Sequence, residues 1–277
     1  MTEESLDYLT ESDILSDTTV RGSQIVFNAT SFSRLSVFEQ CKFRAKLQYI
    51  DKIPEPPRPL PPGMTEHYND RGSRIHSAGQ LYVEDNVELQ PELASFRAEY
   101  EALRAMFRAG KAIVEQDWAV DRDWMTVEWM SSDVFMRIKL DAFVNPEPSV
   151  GLVIDLKTGK KKGNEVKHAD QGQLYVLAAF LRYPDLQSCT VEFWYSDQND
   201  ITSVHYTRAQ AMRLYKGWNK RALKMVNEDD FEPNPSITTC KYCPYGPDGT
   251  GHCKVGVSKN QAFAKSKFQA RAPNWWD

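Results

Sequence analysis

Two stretches in the middle of the chain place apolar side chains at every second position, with most of the charged ones between them. In DVFMRIKLDAFV, residues 133–144, Val134, Met136, Ile138, Leu140, Ala142 and Val144 take the even positions. Asp133, Arg137, Lys139 and Asp141 fall on odd ones. A two-residue period is that of a β-strand, whose successive side chains point to opposite faces. In GLVIDLK, residues 151–157, Leu152, Ile154 and Leu156 face one way, and Val153, Asp155 and Lys157 the other. The intervening NPEPSVG is rich in turn-forming residues, so the pattern predicts an antiparallel hairpin. Pairing symmetric about residue 148 sets Asp141 directly opposite Asp155, with Lys157 one step along the same face.

Elsewhere the period lengthens. Leu35, Phe38, Cys41, Ala45 and Tyr49 recur at three- and four-residue spacings and predict a helix after Ser33. IPEPPRPLPPG, 53–63, stops it and reads as a linker. Helices are predicted over about 66–83, 91–114 and 169–182, with strand character in 117–129, in CTVEFWYS at 189–196 and around 202–206. Thr207 and Gln210 have the spacing of a capping box opening a last helix to about Val226. The order of elements predicts an α/β fold, with a central mixed sheet flanked by helices and a helical N-terminal part. The expected division is an acidic lead-in over 1–27, one domain over 28–256 and a tail over 257–277, its Phe268, Trp275 and Trp276 pinned onto the body.

Composition adds local rather than global information. The 277 residues carry a formal charge of -4. Residues 1–20, however, hold six acids and no base, while KTGKKKGNEVKH, 157–168, holds five lysines and one glutamate. Local potential governs attraction of a phosphate chain; a solvated loop is the plainer account of the same lysines. No apolar run is long enough to span a bilayer, and the N-terminal residues lack the order of a signal peptide, so a cytoplasmic protein without membrane association is expected. The cytoplasm could be that of a host cell.

Two carboxylates facing each other across a hairpin repel unless a cation lies between them. Oxygen ligands suit Mg²⁺ or Mn²⁺, and such an ion can polarise a phosphodiester and activate water. Lys157 could then orient that water or offset charge at phosphorus. The alternative is a solvated sheet face with an ordinary salt bridge. Clustered thiols raise a second question. Cys240, Cys243 and Cys253 stand as C-x2-C-x9-C, which in a reducing compartment suggests a soft metal site. Cys189 alternates among apolar neighbours and reads as packing.

IKLDAFV, a turn and GLVIDLKTG resemble the catalytic core of the PD-(D/E)XK nuclease superfamily, in the variant Asp141, Asp155, Lys157. Three further segments resemble its RecB-like exonuclease branch. SFSRLSVFEQCKFRAKLQY, 31–49, is similar to that branch's N-terminal helix, with Cys41 at a cysteine position. RGSRIHSAGQLYVE, 71–84, is similar to the segment whose histidine, here His76, helps hold the metal. QGQLY, 171–175, matches a Q-x-x-x-Y motif through Gln171 and Tyr175, which share a helix face. The resemblance implies metal ligation by His76, Asp141, Asp155 and the Leu156 carbonyl, with Gln171 and Tyr175 positioning substrate or the catalytic groups. Glu115, ahead of the strands, is left outside the set. The branch also implies a four-iron, four-sulfur cluster on Cys41, Cys240, Cys243 and Cys253. Zinc completed by His252, or no metal, remains the alternative, because the last spacing is longer than the family's compact form.

The expected activity is thus a divalent-metal-dependent DNA exonuclease of recombination, repair or end processing, of phage or mobile-element size, acting on single- or double-stranded DNA. No G-x-x-x-x-G-K-S/T phosphate loop is present, so unwinding would need a helicase or recombination partner. A non-catalytic DNA-binding or complex-assembly module retaining the fold, and an RNA nuclease, are the rival readings.

Overall fold

The computed structural model describes residues 17–60, 62–85 and 87–258. In chain order these contain β1 (Thr18–Arg21), β2 (Gln24–Phe27), β3 (Thr30–Ser31), α1 (Phe32–Gln40), α2 (Lys42–Ala45), α3 (Tyr68–Glu84), α4 (Arg97–Arg108), β4 (Ala112–Val120) and β5 (Thr126–Val127). There follow β6 (Met136–Glu147), β7 (Val150–Lys157), α5 (Glu165–Arg182), β8 (Ser188–Tyr195), β9 (Asp200–Thr207), α6 (Arg208–Val226) and α7 (Ile237–Cys240). The chain forms two compact units, one over residues 60–223 and one over 17–59 with the residues after 223. Where the sequence predicts one continuous domain over 28–256, the second unit is therefore discontinuous, drawn from both ends of that span.

The larger unit is an α/β layer structure. Its strands lie in the order β5-β4-β6-β7-β8-β9. β7 and β8 are parallel, joined by the α5 crossover, and the other neighbours are antiparallel. One face is covered by α3 and α4. There Ile75, Tyr82, Val83, Leu93 and Phe96 pack with Ala142, Val144, Ile154 and Leu156. Trp194 stacks on Phe96 at 5.7 Å and meets the edge of Tyr100 at 5.4 Å. The other face receives α5, with Tyr183 stacked on Phe143 at 4.7 Å. The alternation of β6 and β7 therefore separates two cores, not core from solvent. Arg137 and Asp155, on the nominally polar face, are both buried.

Gly172 permits the close approach of α5. A Cβ there would lie 2.6 Å from Phe193 Cζ and 3.2 Å from Val191 Cγ2. Because both neighbours are packed in the core, Gly172→Ala is expected to cost roughly 1–3 kcal/mol through overpacking, read as a lower urea midpoint. The predicted capping box is present. Gln210 Oε1 accepts from the Thr207 N–H at 2.8 Å, and the Gln210 N–H reaches Thr207 Oγ1 at 3.4 Å.

The helix predicted over 91–114 resolves into a short 3₁₀ segment (Pro91–Phe96), α4, and the start of β4. The turn at Gly110, with φ +70°, separates the last two. In the smaller unit β1 and β2 pair as a hairpin, Thr18 opposite Phe27, over residues read from sequence as part of the lead-in. Asp17 and Arg34 form a buried ion pair, and Phe27 meets Tyr49 and Phe231 edge-on. Residues 1–16 and the aromatic tail from 259 lie outside the described residues.

Candidate active site

The β6–β7 ladder runs Val144↔Leu152, Phe143↔Val153, Ala142↔Ile154 and ends there, although both strands continue. One step further in this register Asp141 faces Asp155, as the symmetric pairing predicts. The two strands part at this point. Asp141 fills the fork: its Oδ2 accepts the Leu156 N–H at 2.6 Å, in place of a backbone carbonyl. Its Oδ1 is thereby turned toward α3, 3.2 Å from His76 Nδ1.

Glu115, in the middle of β4, completes this side. Its Oε1 lies 3.8 Å from His76 Nδ1. Val114 and Gln116 keep their pairing with Ala142 and Leu140, but Glu115 itself adopts φ +46°. Left-handed backbone in a non-glycine strand residue costs of order 1–3 kcal/mol and is retained only where the surroundings impose it. Among the described residues, His76, Glu115 and Asp141 offer one ligand atom each within 4.8 Å of one another. Two carboxylates and an imidazole suit a divalent ion with hard-to-borderline ligand preference.

Asp155 and Lys157 form the other side. Asp155 is 2% exposed. Lys157 Nζ lies 2.5 Å from its Oδ2, a close ion pair at a buried carboxylate. Lys157 donates to Gln171 Oε1 at 2.8 Å, and Gln171 Nε2 donates to Tyr175 Oη at 2.5 Å. The one-turn spacing of Gln171 and Tyr175 on α5 makes this relay. Arg71 at the start of α3 ties the strand's exit in place, donating to the Thr158 carbonyl at 3.0 Å and pairing with Asp197.

The charges respond to this crowding. Burial, reinforced by Asp141 against the opposing pull of Lys157, pushes the Asp155 carboxyl up to about 6. Burial also opposes ionisation of Asp141, but His76 and Lys157 outweigh it and hold Asp141 below the usual carboxylate range. Burial of His76 works against its charged form; Asp141 and Glu115 prevail and hold it well above an ordinary imidazole. Tyr175, deeply buried beside these anions, stays protonated. A cation bound at this centre would displace the protons these shifts favour on Asp155 and His76.

A family model of the PD-(D/E)XK nuclease superfamily matches residues 29–247. The chain belongs to this superfamily. No curated protein matches it. Among solved structures it is similar to one described as "Crystal structure of SSO0001", at 16% identity over 85% of this chain and 91% of that one, with a TM-score of 0.36. Membership of a PD-(D/E)XK family carries with it metal-dependent cleavage of nucleic acid. No helix of the described residues is long and apolar enough to cross a membrane.

The residues named from the resemblance lie around this fork, and two placements differ from the expected set. Asp155 turns to Lys157 and is not one of the three groups drawn together around His76. Glu115, left out of the sequence set, is one of them. Its only sequence signal is an acid in a strand that also carries Gln116 and Asp117, because the backbone turn that aims it is invisible in composition. Glu115→Gln is expected to lower Mn²⁺ affinity about 10- to 100-fold, the range seen when groups around a metal are altered, with little change in the fold; calorimetric titration of the metal-free protein reads this directly.

The four cysteines named from sequence lie in the smaller unit. Cys41, Cys240, Cys243 and Cys253 line one cavity with Leu47, Pro235 and Tyr245. All are free thiols. Cys41 interrupts the predicted helix: it is extended, at φ -161° and ψ 110°, between α1 and α2. The Asn234 N–H approaches its Sγ at 3.5 Å. Cys189 is buried in β8, and burial pushes its thiol up to about 12.

Proposed function

We propose that the protein is a divalent-metal-dependent DNA exonuclease whose reacting centre is the β6–β7 fork. The observation that carries this is the meeting of two sets in one place. His76, Glu115 and Asp141 converge on one side. Asp155, buried and ion-paired through Oδ2, and Lys157 lie on the other.

A Mg²⁺ or Mn²⁺ ion held by His76, Glu115, Asp141, Asp155 and the Leu156 carbonyl would polarise the scissile phosphodiester and lower the pKa of a water. The chain's own groups then have defined tasks. Asp141, clamped by the Leu156 N–H, presents one fixed oxygen. Lys157, held between Asp155 and Gln171, orients the attacking water and offsets negative charge developing at phosphorus. Gln171 keeps Lys157 in place, and Tyr175 braces Gln171. Carriage on strands and a packed helix limits drift of these groups.

Action on DNA ends, in recombination, repair or end processing, with a helicase or recombination protein as partner, is supported by the ordered resemblance to the RecB-like branch. A four-iron, four-sulfur cluster on Cys41, Cys240, Cys243 and Cys253 belongs to the same reading. The donors fit it: four free thiols line one largely apolar cavity. The cluster's role is to join the two chain ends of the unit.

The substrate reading is tested with Mg²⁺ and linear DNA, covalently closed circular DNA and single-stranded RNA of one sequence. Release of label from linear DNA alone is expected. Cleavage of the closed circle would make the enzyme an endonuclease, and cleavage of RNA alone would move it to that substrate.

A further inference from the structure

A cluster of cationic and aromatic side chains beside Lys157 takes no part in the reaction outlined above. β7 and β8 are parallel, and Tyr195 is the register partner of Lys157, so it sits one strand spacing, ~4.8 Å, to the side. Tyr195 Oη lies 3.0 Å from His168 Nδ1 on the first turn of α5. The imidazole stacks on Phe193, with ring centres 6.1 Å apart at 27°. With Nδ1 accepting the phenol proton, the second ring nitrogen is left as an N–H donor.

Cations crowd this corner. Lys161 is held by Asp200 at 2.5 Å, its ammonium 5.3 Å from the Tyr195 ring centre. Glu165 is engaged by the Gly163 N–H at 2.6 Å. Lys160, Lys162 and Lys167 make no ion pair among the described residues. Burial, then Lys157 and Lys167, hold His168 down at about 4, so the imidazole is neutral. Burial and Lys157 also depress Lys167. Mutual repulsion of this kind is relieved by an anion. Asp200 and Glu165 already have partners and do not supply one.

We propose that Lys167, His168 and Tyr195 form a phosphate subsite that grips the phosphodiester next to the one cleaved. Lys167 supplies charge at the rim, His168 supplies a directed N–H, and Tyr195 fixes the tautomer of the ring. Such a contact sets the register of a strand without reading its bases. The subsite's place relative to the cleaved bond rests on the hydrolytic reading; the contact itself does not.

The test uses labelled single-stranded DNA carrying one uncharged methylphosphonate linkage, moved one position at a time. Binding is measured by fluorescence anisotropy with Ca²⁺ and cleavage with Mg²⁺. In the wild type, one position is expected to cost about tenfold in affinity. The Lys167→Ala/His168→Ala variant is expected to bind the unmodified strand about tenfold more weakly and to lose nothing more at that position, the signature of a shared contact. Its salt dependence should be shallower by about one phosphate contact. Tyr195→Phe should lose part of the same affinity. The proposal is overturned if no single linkage matters to the wild type, or if the double variant repeats the wild-type pattern. Wild-type protein that binds with this pattern but never cleaves would sink the hydrolytic reading and leave the subsite standing. Failure to bind any strand would remove the subsite.

Discussion

Asp155→Asn is expected to abolish cleavage while making the metal-free protein more stable. The carboxyl is raised from the ordinary value of about 3.9 to about 6, burial being the first cause. Between those values the folded chain holds a proton at this position that the unfolded chain has released. Stability contributed by Asp155 therefore falls as pH rises from about 4 to about 6 and stays low above that. A shift of this size corresponds to roughly 3 kcal/mol at most. The amide is isosteric and carries no charge to bury. A gain of about 1–2 kcal/mol is thus expected at neutral pH and none near pH 4, read from urea unfolding in EDTA. Loss of stability at neutral pH would show that the ion pair with Lys157 outweighs burial. Activity should fall by at least ~10³-fold, on the scale of removing a principal electrostatic group from a reacting centre. Metal binding follows the same protons. Asp155 and His76 are both held protonated above their ordinary values. Mn²⁺ affinity should consequently rise with pH above about 6, with protons released on binding.

Cys243→Ser is expected to have the largest effect on the smaller unit. Bound structural metal is folding free energy, on the order of 10 kcal/mol for clustered thiolate sites. Anaerobically purified wild type should contain iron and acid-labile sulfide. The variant should contain neither and melt at least ~10 °C lower. Cys41→Ser should behave alike, because its thiol lines the same cavity from the other end of the chain. Cys189→Ser, in β8 of the larger unit, should keep its iron. Iron-free wild type with the same melting temperature as Cys243→Ser would remove the cluster from the account.

The hairpin of the active site was legible because alternation and turn residues fix a strand register, and a register fixes which carboxylates meet. Gln171 and Tyr175 were named through the Q-x-x-x-Y resemblance; on α5 they stand one turn apart and are hydrogen-bonded. Glu115 was not legible, since its role depends on a φ of +46° that neither period encodes. The interruption at Cys41 was hidden in the same way: Leu35, Phe38, Cys41 and Ala45 keep helical spacing across a residue whose backbone is extended. The hairpin over 18–27 escaped notice because its outward positions are polar or exposed, and it packs on residues from the other end of the chain. Phe231 against Phe27 is one such contact. Local pattern carries no signal of so distant a partner.

The most direct test of the central claim is the rate of nucleotide release from an end-labelled linear DNA duplex at neutral pH. Wild type with Mg²⁺ or Mn²⁺ should be compared with wild type in EDTA and with Asp155→Asn in metal. The account predicts release only by wild type with metal. Equal release in EDTA, or by Asp155→Asn with metal, would contradict it.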